Sequence, residues 1–324
     1  MLRRRFHLLF LGFFIALAGC ASQNDSPSPS ASPTPSASPA ARNTTAAKTA
    51  TASPRDDLGR EIKLDGVPRR IITIGPGATE TVFALGLGSR LVGRDSAPGY
   101  PDKAMERVAV VADFNGPAFE SVLAARPDLI IVQGETYGSA RIETWQKKCG
   151  APVANLAATS VAGVAQDIRK IGAWLGAREK AETIAKRLEN VPRIAVAGKP
   201  PQAVFELGRA PLWVAGRNTL IDDVMKRAGI ANAASDVDGY MVYNLENLAT
   251  KNPDFYIVTD KESNRARIMK SLRATNGVRD LKCIKAARVL IVDPDLVLRP
   301  GPRLGDGIAR LRSQMLVMKS KAPA

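Results

Sequence analysis

Histidine is all but missing. The chain has one, His7, and it falls inside a segment that reads as an export leader. Without that leader no histidine remains, which excludes Ser-His-Asp and Cys-His catalysis and His-ligated zinc, manganese, haem or corrinoid. Haem held through a tyrosine stays open. Cysteine is nearly as scarce, at three. No Gly-x-Ser-x-Gly turn is present, which argues against a lipid-anchored hydrolase. Basic residues interleaved with aromatics are also lacking, so the net charge of +15 does not point to nucleic acid. The apolar run at 8–18 is too short for a spanning helix, which needs about 20 residues.

That run follows Arg3, Arg4 and Arg5 and ends in Leu17-Ala18-Gly19-Cys20. The pattern reads as a signal peptide over 1–19. Its end resembles the bacterial lipobox, whose Cys becomes the lipidated first residue. Cys20 is therefore the candidate lipidation site, holding the protein at an extracytoplasmic membrane surface. Residues 20–55 are dominated by Ser, Pro, Ala and Thr. Too little apolar surface is available there to offset ordering entropy, which predicts a disordered tether able to extend to ~100 Å.

Charge is unevenly spread. Residues 56–155 hold 12 basic and 13 acidic side chains, whereas 156–324 hold 28 and 17. Anionic lipid headgroups or an anionic ligand suit the basic half of an exported chain. Cys149 and Cys283 either form a disulfide across a long loop or stay apart as small buried hydrophobes.

The chain also repeats itself. Phe119-Glu120 through Pro127-Asp128-Leu129-Ile130-Ile131-Val132 recurs as Leu245-Glu246 through Pro253-Asp254-Phe255-Tyr256-Ile257-Val258. Each copy reads as a short helix with Glu second, a Pro-Asp stop and a buried strand. Two matched carboxylates, one per copy, look like a docking gauge rather than a catalytic pair. Apolar runs at 71–74, 91–93, 108–111, 203–207, 212–214 and 289–292 read as further strands alternating with helices. The fold class is therefore α/β, with two mainly parallel-sheet lobes. The first lobe covers 56–158 and the second 192–324. Residues 159–191 keep helical periodicity across a helix stop at Gly176, which predicts a rigid helical connector. Thr219-Leu220-Ile221-Asp222 reads as a helix cap, with Gly229 closing that helix.

Taken together, Ile74-Gly75-Pro76-Gly77-Ala78-Thr79-Glu80, the first Glu…Arg-Pro-Asp-Leu, Ile171-Gly172-Ala173-Trp174-Leu175-Gly176, the second Glu…Asn-Pro-Asp and Arg299-Pro300-Gly301-Pro302-Arg303 resemble the iron-complex/cobalamin class of ABC-transporter substrate-binding proteins. The resemblance covers roughly 56–318. It implies a non-enzymatic binder that captures a corrinoid or iron chelate between its lobes, with no cofactor or metal site of its own. The cargo would pass to an ABC permease driven by a cytoplasmic ATPase. It further implies that Glu120 and Glu246 dock on the permease, and that the protein is a monomer. Cobalamin is favoured over a ferric siderophore, with haem uptake or a non-transport adhesin as alternatives. The expected ligand contacts are Pro76, Tyr100, Gly116, Tyr137, Arg209, Trp213, Tyr240 and Arg299, from the loops 76–78, 98–100, 115–117, 134–137, 209–213 and 239–240 and from Arg299. The aromatics would stack on a large ligand and the arginines would meet its anionic groups. A dinucleotide reading of Gly75-Pro76-Gly77 fails because Glu80, at the sixth position, would repel a pyrophosphate.

Overall fold

A computed structural model describes residues 54–97, 99–113, 115–134, 137–192 and 198–320. The leader, Cys20, the tether up to residue 53, Pro98, Glu135 and Thr136 lie outside the described residues. In the first lobe, β1 (Ile71–Ile74), β2 (Leu91–Asp95), β3 (Val110–Asp113), β4 (Gly116–Pro117), β5 (Leu129–Gln133) and β6 (Val153–Leu156) form one sheet, in the order β4-β3-β2-β1-β5-β6. All neighbours run parallel except β3 and β4. The helices between them are α1 (Pro76–Ala84), α2 (Asp102–Met105), α3 (Phe119–Ala125) and α4 (Ser139–Cys149).

Two helices then cross to the second lobe, α5 (Val161–Trp174) and α6 (Arg178–Glu189). The second sheet contains β7 (Gln202–Arg209), β8 (Leu212–Ala215), β9 (Ala231–Asn232), β10 (Tyr240–Val242), β11 (Phe255–Thr259) and β12 (Val289–Val292). Its path is β10-β8-β7-β11-β12, with β9 beside β7, and β8 alone runs against the rest. Its helices are α7 (Leu220–Arg227), α8 (Leu245–Lys251), α9 (Arg265–Ala274), α10 (Lys282–Lys285), α11 (Pro294–Val297) and α12 (Leu304–Ser320).

Strand alternation decides how these layers stack. Ile71, Leu129, Ile131 and Ala154 turn one way, into a core shared with α1 and α5. Ile72, Ile130, Val132 and Val153 turn the other way, onto α3 and α4. In the second sheet, Phe205, Phe255, Ile257 and Leu290 face inward to the same shared core, together with α7 and α12. Val204, Tyr256, Val289 and Ile291 face outward, onto α8, α9 and α10. One apolar cluster therefore lies between the two sheets, with Val164, Ile168 and Ile171 of α5 at its centre.

The connector is fastened at both ends. Ser160 caps α5 by accepting from Gly163 N, at 3.0 Å. The Val161 N–H donates to Asp223 Oδ2 of the second lobe at 2.8 Å, and Arg90 of the first lobe donates to Leu175 O at 3.0 Å. Gly176, at φ 72°, breaks the helix. The partner α6 returns so closely that a Cβ on Gly172 would lie 2.2 Å from Ala181 Cβ, so glycine is required there. Arg169 binds both Glu182 (2.6 Å) and Glu189 (2.7 Å) across the pair.

The cysteines correct one expectation, the disulfide. Both are free and buried. Cys149 lies in the outer cluster of the first lobe and Cys283 in that of the second. Both sheets and the shared core separate them, so each serves as a small apolar side chain. Burial pushes the Cys283 thiol up to about 12.

The exposed half of α5 carries a buried acid. Asp167 is in contact with Lys170 at 3.4 Å, and Lys170 also binds Asp57. Burial, reinforced by the Asp57 carboxylate, raises Asp167 from 3.8 to about 8. The folded chain then holds a proton that the unfolded chain releases, so this group costs stability increasingly between pH 3.8 and about 8. Asp167→Asn is expected to gain on the parent as pH rises through that window, in denaturant titrations at several pH values. A difference independent of pH would refute the assignment. Truncating Ile168 to Ala is expected to lower stability by ~2–4 kcal/mol while unfolding remains a single transition. Two separate transitions would mean that the lobes do not share a core.

Candidate functional site: the cleft between the lobes

Two Gly-Pro segments, one from each lobe, meet at the base of the cleft. After β1 the chain turns at Gly75, with φ 126°, and Pro76 opens α1 where no N–H is needed. The Gly75 N–H donates to buried Asp95 at 2.6 Å. Burial raises the Asp95 carboxyl above its ordinary range, against the pull of the Gly75 and Ala97 N–H groups, Arg94 and Arg299. From the second lobe, the segment after α11 brings Pro300 against Gly77. A Cβ on Gly77 would lie 2.5 Å from Pro300 O, so only glycine permits this approach.

Gln133, at the end of β5, donates from Nε2 to Pro300 O at 2.8 Å. Glu80, only 3% exposed, accepts from Arg303 Nη2 at 2.9 Å and from the Arg303 backbone N–H at 3.2 Å. The Arg303 guanidinium also covers the Tyr100 ring, 4.2 Å from its centroid. A buried carboxylate is tolerated only with such pairing. This seam joins the lobes across more than 220 residues of sequence.

Beside the seam lies a cavity of about 290 Å³, lined by Pro76, Gln133, Gly134, Leu156, Ala157, Ala158, Leu220, Tyr240, Leu298 and Pro300. Its walls are apolar side chains and backbone. Among the described residues that line it, Gln133 and Tyr240 are the only polar side chains, and none is a carboxylate, thiol or cation. Register extends the aromatic surface beyond it. Trp213 pairs with Val242 and Ala215 with Tyr240, so Trp213, Tyr240 and Val242 share one face of the β8–β10 ribbon. They are 43, 36 and 50% exposed. Such a wall suits a broad ligand with an apolar face and amide groups at its edge. A larger hollow of about 740 Å³, lined by Arg60, Lys63, Glu143 and Lys147 among others, belongs to the outer side of the first lobe. It has no aromatic wall and no residue from the second lobe, so size does not make it the site.

The expected contacts divide three ways. Pro76 and Tyr240 line the cavity. Trp213 extends the Tyr240 face, and Tyr100 rests on the seam through Arg303. The other four make their hydrogen bonds and packing contacts within their own lobes. Gly116 is buried where a Cβ would meet Trp145 at 2.6 Å, and the Tyr137 ring packs on Trp145 at 5.0 Å. Arg209 forks onto Glu206 (2.9 and 2.7 Å) and donates to Ser271 at 2.7 Å. Glu206 also accepts from Tyr256 at 2.6 Å. Arg299, 8% exposed, binds Asp295 one turn back, and its Nη1 has no hydrogen bond.

Sequence reasoning missed Gln133, Leu298 and Pro300 as lining, and Glu80 with Arg303 as the seam. One signal was available for Glu80: a carboxylate between Thr79 and Thr81 in an apolar helix without a basic neighbour requires a partner from elsewhere.

Glu120 and Glu246 are exposed in the first turns of α3 and α8. Among the described residues neither carboxylate is ion-paired. Their surroundings match closely. Each helix ends in a left-handed residue, Arg126 at φ 44° and Asn252 at φ 41°. The following Asp donates its N–H, Asp128 to Arg70 O and Asp254 to Gln202 O, at 2.9 Å in both.

Two α/β lobes joined by rigid helices around a cleft define a binding protein of the bilobal, helix-bridged type. A family model described as periplasmic binding protein matches residues 71–296, and the chain belongs to that family. It is 29% identical over 266 residues, 79% of this chain and 82% of the relative, to an uncharacterized ABC transporter substrate-binding lipoprotein, YvrC, of Bacillus subtilis. It is 27% identical over 263 residues to a cobalamin-binding protein of Halobacterium salinarum, covering 77% of this chain and 70% of that one. Among solved structures it resembles a periplasmic heme-binding protein from Pseudomonas aeruginosa, with a TM-score of 0.65 and 28% identity, over 79% of this chain and 95% of that one.

Removing the seam's charge is expected to cost about 2 kcal/mol, the usual worth of a hydrogen bond to a charged group. Glu80→Gln, which keeps the shape, is therefore expected to unfold earlier in urea. A midpoint equal to the parent's would show that the pair does not hold the lobes.

Proposed function

We propose that the protein captures a corrinoid of the cobalamin type between its lobes, outside the cytoplasm, and delivers it to an ABC import permease with a cytoplasmic ATPase. The supporting observation is the cleft lining. Among the described residues it is largely apolar and poor in metal-ligating groups, which favours cargo whose metal arrives already enclosed by its own organic ligands. The cobalamin-binding relative supports the same ligand class. A ferric siderophore fits the same argument. Haem is a second reading because Tyr240, among the described lining residues, is a side chain able to bond iron.

A binding role without catalysis is part of the same proposal, in keeping with the family to which the chain belongs. Lipidation at Cys20 would keep the monomer at the membrane surface, as the lipoprotein relative suggests. Glu120 and Glu246, alike in geometry and on opposite lobes, are the proposed contacts with basic residues of the permease. Charge pairs of that kind set register and encounter more than affinity.

Tryptophan quenching of the purified chain is expected to saturate with cobalamin in preference to haem or ferric siderophores. Trp213→Ala is expected to weaken that binding by tenfold or more, in line with an interface aromatic worth ~2 kcal/mol. Stronger binding of haem, with an iron–phenolate absorption lost in Tyr240→Phe, would replace the corrinoid by haem. The double variant Glu120→Ala, Glu246→Ala is expected to bind cargo normally yet import it slowly. Uptake at the parental rate would remove the docking role.

A further inference from the structure

The outer helical layers of the two lobes match in stereochemistry but not in charge. Residues 119–149 hold four basic and four acidic side chains, whereas 245–288 hold ten and five. In the second lobe, Leu248 of α8, Ile268 and Leu272 of α9 and Ile284 of α10 all enter the same cluster under the outer face of the sheet. The charged residues of these helices therefore share the outward side. Lys270, Arg273, Arg279, Lys282 and Lys285 are all exposed there.

Internal pairing leaves this layer positive. Lys270 and Arg273 have no ion pair among the described residues. Arg279 and Lys285 share a single acid, Asp280, at 3.7 and 4.0 Å. Glu246 belongs to the same layer. Gly277 lies against Leu245, and the Lys282 N–H donates to Asn252 Oδ1 at 2.9 Å, fixing α10 to the end of α8.

Clustered like charges repel and contribute nothing to the fold. An anionic surface outside the molecule complements them. A bilayer rich in anionic headgroups offers such a surface to several of these side chains at once. We propose that the α9–α10 face is a membrane-contact surface that settles on anionic phospholipid headgroups beside the permease. Its orientation rests on the importer reading; its charge does not. Each Lys or Arg close to such a surface strengthens partition about fivefold, and the gain fades within a Debye length.

The test uses the full chain carrying Cys20→Ser, so that no lipid anchors it, sedimented with vesicles. It is expected to bind phosphatidylglycerol–phosphatidylcholine vesicles, to ignore phosphatidylcholine alone and to be released by salt. Lys270→Gln, Arg273→Gln and Lys285→Gln together are expected to lower partition about a hundredfold. Cobalamin quenching in the same samples checks that the variant is folded. Equal binding to both vesicle types, or undiminished binding by the triple variant, would overturn the proposal. Preference for a DNA duplex over the anionic vesicles would overturn the choice of partner. Loss of cobalamin binding by the parent, with vesicle binding intact, would defeat the importer reading and leave this surface standing.

Discussion

The architecture depends on one apolar cluster that both sheets share. Ile71 and Leu129 from one lobe and Phe205 and Leu290 from the other reach it, with Ile168 and Ile171 of the connector between them. Apolar burial is non-directional, so it brings the lobes together without fixing their angle. The angle is set by directional contacts at the edges of that cluster. Val161 reaches Asp223 at one end of α5, Arg90 reaches Leu175 at the other, and Glu80 meets Arg303 beneath the cleft. The cavity lies between Pro76 and Pro300, next to the last of these fasteners.

The helix–strand repeat does more than make the lobes look alike. Arg126 and Asn252 each accept a left-handed backbone, and the next Asp donates its N–H to a carbonyl at the start of a neighbouring strand, that of Arg70 just before β1 or of Gln202 at the head of β7. Glu120 and Glu246 therefore sit on stereochemically equivalent mounts in opposite outer layers. The layers differ in what surrounds those mounts, near neutral in the first lobe and strongly basic in the second. A symmetric scaffold thus carries an asymmetric surface.

Much of this was legible from residue patterns. Apolar runs marked the buried strands, Thr219 starts its helix as a cap, and Gly176 and Gly229 end theirs. Pro76 and Tyr240 reach the cavity as expected from their position after strands. Side-chain direction was not legible. Arg209 is three residues from Glu206, which in a regular strand would put them on opposite faces. A register irregularity between Glu206 and Gly208 brings them to the same side, and the guanidinium is used there. Arg299 was hidden for a related reason, since only the short α11 turn places Asp295 beneath it. The seam was least legible, because contacts between Gly77 and Pro300 arise only when both lobes are assembled.

The close approach of Gly172 to Ala181 stiffens the span between the lobes into a double strut rather than a hinge. A strut fixes the gap before any guest arrives. The walls then act as a calliper, admitting guests by thickness, and little rearrangement accompanies their entry. Loading such a jaw requires mainly diffusion and drying of its faces, so discrimination rests on fit in the rigid slot rather than on a motion that only the right guest can trigger.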